Sequence, residues 1–500
     1  VFGKSKGQIM KDYIKLSGIK RGLLFAGCWI VLTLGLISCD SMLEESPKSV
    51  AVEVFYNTAE EVETAVNAIY IPLRINTIAN YVATLECQSD WMYGRGSWTP
   101  LSDYQGLNDA NITRVSGFWN DFYLAIRNAN LVVQNAPKGA SISQEDIQKY
   151  VSEAKFLRAY AYFNLVRNWG SIPLRTEGNM DEKDLPKSSV AQVYELIVAD
   201  LLEAEAMLPA VPKDIGRPSI WAAKSLLADV YLELGNFQEA ATRAKQVIDS
   251  GTFRLVATRS VGELQQNLFG PTLLTTPEEI FYFKFSRLQG QGNYILWISN
   301  HPSTNLFNFG GAYAVHGDKS NPNFENWDDE DLRKGLWDNI NFGLGANTLV
   351  SSKYVDSEAI SQSGAGNDLP VYRFADVLLL YAEAAARSEG QVSPAALEAL
   401  NQVRRRAYGL IPDQTSDVDY ELTGLTADSF VDLVIKERGY EFLYEGKRWL
   451  ELKRTGKVEE LVAYGKKKTV SPKHLLWPIP VSEMNYNNAL DPSKDQNPGY

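Results

Sequence analysis

The chain has little cysteine and little histidine: three of each in 500 residues. Cys28 and Cys39 fall in or at the end of the first apolar run, so only Cys87 remains beyond it. A disulfide within the rest of the chain and a thiolate metal cluster are thereby excluded. His301, His316 and His474 show no HxxxH spacing, which argues against a histidine-based zinc centre. GxSxG, P-loop and HExxH patterns are absent, and Cys87 has no histidine near it in the sequence to activate a thiol. Positive charge is also scarce. Beyond residue 38 there are 43 basic against 60 acidic residues, a net of −17. Phosphate backbones and anionic lipid surfaces are bound by clustered Lys and Arg, so this balance argues against nucleic acid as a partner.

The longest uncharged apolar run is at the start. Lys4, Lys6, Lys11, Lys15, Lys20 and Arg21 precede 17 residues, Gly22 to Ser38, that carry no charge and are rich in Leu, Ile and Val. A basic segment leading into such a run is read as a secretory signal over residues 1–38, and Met10 offers a candidate translation start. The run is a little shorter than the roughly 20 residues that span a bilayer, which makes a retained membrane helix the weaker alternative. It ends at Leu36-Ile37-Ser38-Cys39, which resembles the bacterial lipobox. On that reading Cys39 is the lipidation site. Asp40, Glu44, Glu45 and Pro47 follow as an extended acidic tether. Several acyl chains anchor stably where a single chain does not.

With 45% hydrophobic residues the remainder can bury a large core. Length alone allows two or three domains, but no Pro/Gly/Ser linker divides residues 39–500. The dominant local signal is helical. Thr58-Ala59-Glu60-Glu61 reads as a capping box, followed by Val62, Ala65, Val66, Ile69 and Leu73 at helical spacing. Further helices are expected from Ser143 to Gly170, over 189 to 208, after Ser219, after Asn236, over 372 to 389, after Ser393-Pro394, and as one long element from about Thr426 to Lys453. "LLADVYLELGNFQEAATRAKQVI" and "LLLYAEAAARSEGQVSPAALEALNQV" each read as helix, glycine turn, helix, with alanines for close approach. They resemble tetratricopeptide hairpins, though an ordinary antiparallel pair fits as well. The expected class is mostly α: a framework of such hairpins with long aromatic-rich loops and a few short strands in a middle insertion, residues 257–365.

Two stretches lack that period. Residues 86–119 hold Trp91, Tyr93, Trp98 and Tyr104, and residues 252–370 hold short β-like runs among Asn, Gln and aromatic residues. Loops this long in a compact framework are usually functional. Aromatic faces amid polar groups suit a sugar, whose C–H faces stack while its hydroxyls hydrogen-bond, and suit peptides almost as well. "WDDEDLRKG", residues 327–335, lacks the DxDxDG calcium turn and reads as a solvated loop. Glu437, Glu441 and Glu445, with Arg438, Lys447 and Arg448, read as a packed, ion-paired seam. "LLWPIP" and "QNPGY" read as extended segments tying the C-terminus across the helices.

Five stretches together resemble the SusD/RagB family of outer-membrane nutrient-binding lipoproteins. They are "CDSMLEESP", "EAKFLRAYAYFNLVRNWGSIPL", "YRFADVLLLYAEA", "IKERGYEFLYEGKRWLELKRTG" and "LLWPIPVSEMNYNNALDPSKDQNPGY". The resemblance implies a lipid-anchored, surface-exposed, non-catalytic binder at the outer membrane that needs no cofactor. It would deliver oligosaccharides to a partner TonB-dependent, SusC-like transporter. The family's ligand contacts come from the first loop and the middle insertion. By position these correspond to Asp90, Trp91, Tyr93, Arg95 and Trp98, and to Tyr294, Trp297 and Tyr313. Binding of peptides or glycoprotein-derived ligands on the same scaffold, and a glycan-degrading enzyme, are the competing readings.

Overall fold

The computed structural model describes residues 55–74, 76–306, 315–341 and 343–500. The signal run, Cys39, most of the tether and Tyr313 lie outside the described residues. Tyr56–Tyr500 forms one compact unit.

Its framework helices include α1 (Ala59–Arg74), α2 (Asn76–Gln88), α3 (Asp109–Asn135), α4 (Gln144–Trp169), α5 (Val190–Met207), α6 (Ile220–Glu233) and α7 (Phe237–Asp249). The short α8 (Ile295–Ser299) follows in the insertion, then α9 (Phe374–Glu389), α10 (Pro394–Ala407), α11 (Ala427–Glu441) and α12 (Arg448–Thr455). The strands around the insertion and first loop are β1 (Tyr93–Gly94), β2 (Glu279–Phe283), β3 (Val315–Asp318), β4 (Trp337–Asn339), β5 (Thr348–Ser351) and β6 (Leu369–Arg373).

Most helix starts follow from side-chain chemistry. The Glu61 amide donates to Thr58 Oγ1 at 3.3 Å while Thr58 N donates to Glu61 Oε2 at 3.0 Å, the expected reciprocal pair. Val62, Ala65, Val66, Ile69 and Leu73 form the buried stripe of α1. Ser143 accepts from Asp146 N at 3.1 Å and opens α4. Removing that acceptor in Ser143→Ala is expected to lower stability by about 1 kcal/mol, read as a shift of the urea midpoint at unchanged slope.

The two tetratricopeptide-like hairpins, α6–α7 and α9–α10, are far apart in sequence but adjacent in space, because α7 packs directly on α9. Ala240, Ala241 and Ala244 of α7 and Ala382, Ala385 and Ala386 of α9 are buried. Small side chains let the helix axes approach closely. Between the hairpins the insertion leaves through β2 and returns through β6, and these two strands pair antiparallel. Residues 284–368, most of the insertion, are therefore clamped at their base by this strand pair. A four-stranded sheet within the insertion has the order β1-β3-β5-β4, so the first loop contributes an edge strand.

Two expectations need correction. The helix expected from Thr426 to Lys453 is broken between α11 and α12 by a turn in which Tyr444 and Gly446 take left-handed φ of 61° and 70°. The turn exists because Gly446 N reaches Glu86 Oε1 at 3.0 Å and Glu445 turns inward to Arg373. A continuous helix would forfeit both. Residues 86–119 are not all irregular either: the loop proper is 89–108, and α3 begins at Asp109, capped by the Asn108 side chain.

Glu437, Glu441 and Glu445 are buried and ion-paired as expected, but with bases from elsewhere in the chain; Arg438 and Lys447 pair with Asp376, and Arg448 with Asp90. Arg373 Nη1 donates to Glu441 Oε1 at 2.5 Å and its Nη2 to Glu445 Oε1 at 2.9 Å, while Arg406 reaches Glu278 at 2.8 Å and also pairs with Glu441. Arg333 adds a hydrogen bond to Glu441 at 2.8 Å and an ion pair with Glu437 at 2.6 Å, and Lys353 bonds Glu445 at 2.6 Å. Arg333 and Lys353 belong to the insertion, so the seam fastens it to the helical framework. The stretch 327–335 is accordingly only half solvated. Asp328 and Asp329 are exposed, whereas Asp331 is buried and holds Arg333 at 2.7 Å. At the C-terminus Trp169 Nε1 donates to the Pro478 carbonyl at 2.9 Å, and Asn497 Nδ2 bonds the Trp477 carbonyl at 2.6 Å. The extended segments thus tie across α4 as expected.

Candidate functional site

The first-loop candidates divide into an inner and an outer group. Asp90 is fully buried, and its carboxylate takes Arg448 at 2.8 and 2.9 Å in a two-pronged pair. Trp91 is 2% exposed, its ring edged by Phe324, Trp327 and Tyr440 at centroid distances of 5.0, 5.4 and 5.5 Å. Both were expected to meet ligand. Instead they belong to the core, because a carboxylate matched to a buried guanidinium, and an indole enclosed by three rings, have no face left for solvent.

Beyond them the loop reaches the surface. Tyr93 on β1 is half-buried and stacks on His316 at 5.8 Å, with interplanar angle 23°. Arg95 is exposed and lies within electrostatic range of His301 and His316. The chain then folds back sharply at Gly94, where a Cβ would come within 2.4 Å of the Trp98 carbonyl oxygen, so only glycine fits. Trp98 is buried beneath Arg114, whose guanidinium lies 3.9 Å from the ring centroid. Arg114 is held in place by Ser97 Oγ at 2.7 Å and Asn111 Oδ1 at 2.5 Å. Trp98 therefore acts as a support, and Arg114 is the group above it.

The insertion supplies an aromatic pair. In α8, Ile295, Leu296 and Ile298 are fully buried, so Tyr294 and Trp297, three residues apart, are left half-buried on the outer side. Their rings lie 4.8 Å apart and 31° from parallel. Both ends of α8 are fixed by buried asparagines: Asn293 Oδ1 accepts from Ile295 N at 3.0 Å, and Asn300 Nδ2 donates to the Ser351 carbonyl at 2.7 Å. Tyr294 and Arg114 act on each other electrostatically, so Tyr294 lies within electrostatic range of the guanidinium. Trp297 and Tyr294 thus share a surface region with Arg114, while Tyr93 and Arg95 are linked to His316, and Arg95 also to His301, the residue that follows Asn300 at the end of α8. Burial and the neighbouring Arg95 hold the His301 imidazole below its usual pKa, and burial does the same for His316. Arg114, His301 and His316 were not singled out in the sequence. The available signal for Arg114 was the Asn108 cap, which starts a helix six residues before it.

Lys466 supports this surface from below. It is buried, donates to the Cys87 carbonyl at 2.7 Å, and lies 5.3 Å from the Tyr93 ring centre. That carbonyl is an orphan acceptor at the C-terminal end of α2. Burial lowers the Lys466 ammonium to about 7, against the pull of Cys87, Asp90 and Asp103. Folded Lys466 therefore binds fewer protons than the unfolded chain between about pH 7 and 10.5, and stability gains from it as pH rises through that window. Lys453 is lowered to about 7 as well. Lys466→Met is expected to reduce by about half the gain that the two lysines give between pH 7 and 9.5, measured by urea unfolding at the two pH values.

Fold and site together define a helical-scaffold protein with an aromatic, arginine-lined surface built from two loops. The family described as "Starch-binding associating with outer membrane" matches residues 42–232, and the one described as "SusD family" matches 302–500. The chain belongs to the SusD/RagB family. It is 29% identical over 500 residues to SusD-like protein P38 of Formosa agariphila, covering 90% of this chain and 94% of that one. A SusD superfamily protein from Parabacteroides distasonis superposes with TM-score 0.72 at 26% identity, over 88% of this chain and 99% of that chain. Surface glycan-binding protein A from Bacteroides thetaiotaomicron, solved in complex with laminarihexaose, has the same fold at TM-score 0.72 and 20% identity, over 88% and 100% of the two chains.

Proposed function

We propose that this protein captures oligosaccharides on the Tyr294–Trp297 platform and passes them, uncleaved, to a TonB-dependent SusC-like transporter. It would do so from the cell surface, anchored in the outer membrane through lipidated Cys39. The observation that carries this reading is the aromatic pair of α8. Two rings tilted 31° to each other, seated on a helix pinned at both ends, offer a pre-organised apolar face for sugar C–H groups. Arg114 and Arg95 at its edge supply donors for hydroxyl oxygens. The laminarihexaose complex of a protein of the same fold, and a family description that specifies starch binding and the outer membrane, support the ligand class and the location.

A holding role also suits the chemistry. Glycosidases of the common kind need two carboxylates flanking the bond. The one carboxylate among the candidate residues, Asp90, is committed to Arg448. The test is a calorimetric titration of the chain begun just after Cys39 with oligosaccharides and peptides, with chromatography of the same samples. Binding of one glycan class with intact ligand recovered is expected. Binding of peptides alone, or shorter products, would overturn the reading. Co-purification of the anchored protein with a β-barrel transporter, lost in Cys39→Ala, checks the delivery and anchoring parts.

A further inference from the structure

A second surface has the makings of a sugar site, on the other face of the same sheet. The register pairs Gly317 with Leu349 and Leu349 with Asn339, and Trp337 with Ser351. Directly paired residues share a face and alternate residues return to it, so Gly317, Leu349, Asn339 and Trp337 lie on one side. His316, one residue from Gly317, lies on the opposite side, where it stacks on Tyr93. The two faces of β3 therefore serve two different surfaces.

On the Gly317 side the absence of a side chain lets Phe324 pack onto the sheet; a Cβ there would approach its ring to 2.9 Å. Phe324 meets the Trp337 ring edge-on at 5.0 Å, and Tyr444 supports it at 5.8 Å and 30°. Trp337 is thus propped from beneath and half-buried. It lines an open groove of 830 Å³ together with Lys319, Glu325, Asp329, Lys334, Asn339 and Asn347. That volume is in the range of small-ligand sites, about 300–1,000 Å³.

We infer that this groove is a second saccharide-binding site, specific for neutral sugars and independent of the Tyr294–Trp297 platform. Only its ligand class rests on the function proposed above. The charges decide the specificity. Lys319 and Lys334 balance Glu325 and Asp329, and Lys334 is already tied to Asp329 at 2.6 Å. A polyanion gains no net attraction here, whereas hydroxyls find both donors and acceptors. Asn339 Nδ2 is spent on the Ala346 and Thr348 carbonyls at 2.8 and 3.0 Å, which fixes the amide and leaves its oxygen as an acceptor. A propped indole face with a neutral polar rim suits a neutral sugar ring.

The experiment is calorimetry with laminarihexaose, maltohexaose, mannohexaose and xylohexaose on the wild type, Trp297→Ala, Trp337→Ala and the exposed double variant Glu325→Ala/Asn347→Ala. Two equivalents are expected in the wild type. One should survive in Trp297→Ala, and in that background Trp337→Ala or the double variant should weaken it tenfold or more. A single equivalent lost in Trp297→Ala and indifferent to Trp337 would overturn the groove while the proposed function stands. Binding that depends on Trp337 alone would keep the groove and remove the platform. If no neutral probe binds anywhere, the groove proposal fails. A sulfated or uronate hexasaccharide that then binds through Trp297 would leave the proposed function intact. Thermal melts monitor folding, and an altered melt in Trp337→Ala with unchanged affinity in the double variant counts against the groove.

Discussion

Glu441→Gln is expected to lower the stability of the folded chain by about 3–5 kcal/mol, the usual effect of removing one member of a buried ion pair. Glu441 is 4% exposed and faces three guanidiniums at once, those of Arg373, Arg406 and Arg333. Glutamine keeps the shape and some hydrogen bonding but removes the only charge common to all three. Their desolvation is then left to Glu278, Glu437, Glu445 and Asp331. The comparison is Glu398→Gln, which touches Arg405 at 2.8 Å from a side chain that is 40% exposed and should change stability by about 0–1 kcal/mol. Urea unfolding of the two variants measures the difference. The same group sets an acid limit. Burial alone would raise its pKa, but Arg406, Arg373 and Arg333 outweigh that and hold it well below 4.5. Since the folded value lies below the unfolded one, this stabilisation is complete above the ordinary carboxylate range and is lost as pH falls beneath it. The acid unfolding curve of Glu441→Gln should therefore be shallower below pH 4.5. An equal slope in both proteins would show that the seam does not couple to protons.

Trp297→Ala is expected to weaken binding at the platform by roughly 2 kcal/mol or more, about thirtyfold in Kd, as for other aromatic hot spots. The substitution removes one of the two adjoining rings and exposes nothing new in the core. The helix beneath is held by Ile295, Leu296 and Ile298 and by the two asparagines. Its thermal melt should match the wild type, which separates loss of ligand contact from loss of fold. Trp91→Ala should do the reverse. The Trp91 indole is enclosed by Phe324, Trp327 and Tyr440, so truncation leaves a cavity and lowers stability by about 3–5 kcal/mol. Affinity measured on the folded fraction should change little. If instead Trp91→Ala abolished binding at full stability, the division of the first loop into core and platform would be wrong.

These two tryptophans mark how far the sequence could be read. Thr58, Ser143, Ser393 and the apolar spacing behind them announce helices because each cap and each stripe is made within a few residues. The hairpins were legible for the same reason. For the buried glutamates and the terminal tie only the motif was legible and not the partner, which lies 68 residues away for Glu441 and Arg373 and 309 for Trp169 and Pro478. The resemblance that pointed to family and fold was legible as well. The exposed face of an aromatic residue is not local. Trp91 follows the polar Ser89-Asp90 and Trp297 sits between Leu296 and Ile298, yet it is Trp91 that is enclosed by rings from residues 324, 327 and 440 while Trp297 stays half-buried. Asp90 looked like a ligand group until Arg448, 358 residues away, closed on it. The break at Tyr444 was only partly hidden: Gly446 is a local stop signal, but the bond from Gly446 to Glu86 that fixes the turn spans 360 residues. Sequence alone determined the elements, the class of scaffold and the acidic character, because these depend on spacing and composition. Which aromatics are floor and which are platform, and that Arg114 stands beside Tyr294, was decided only by tertiary structure, because burial depends on which distant segments arrive.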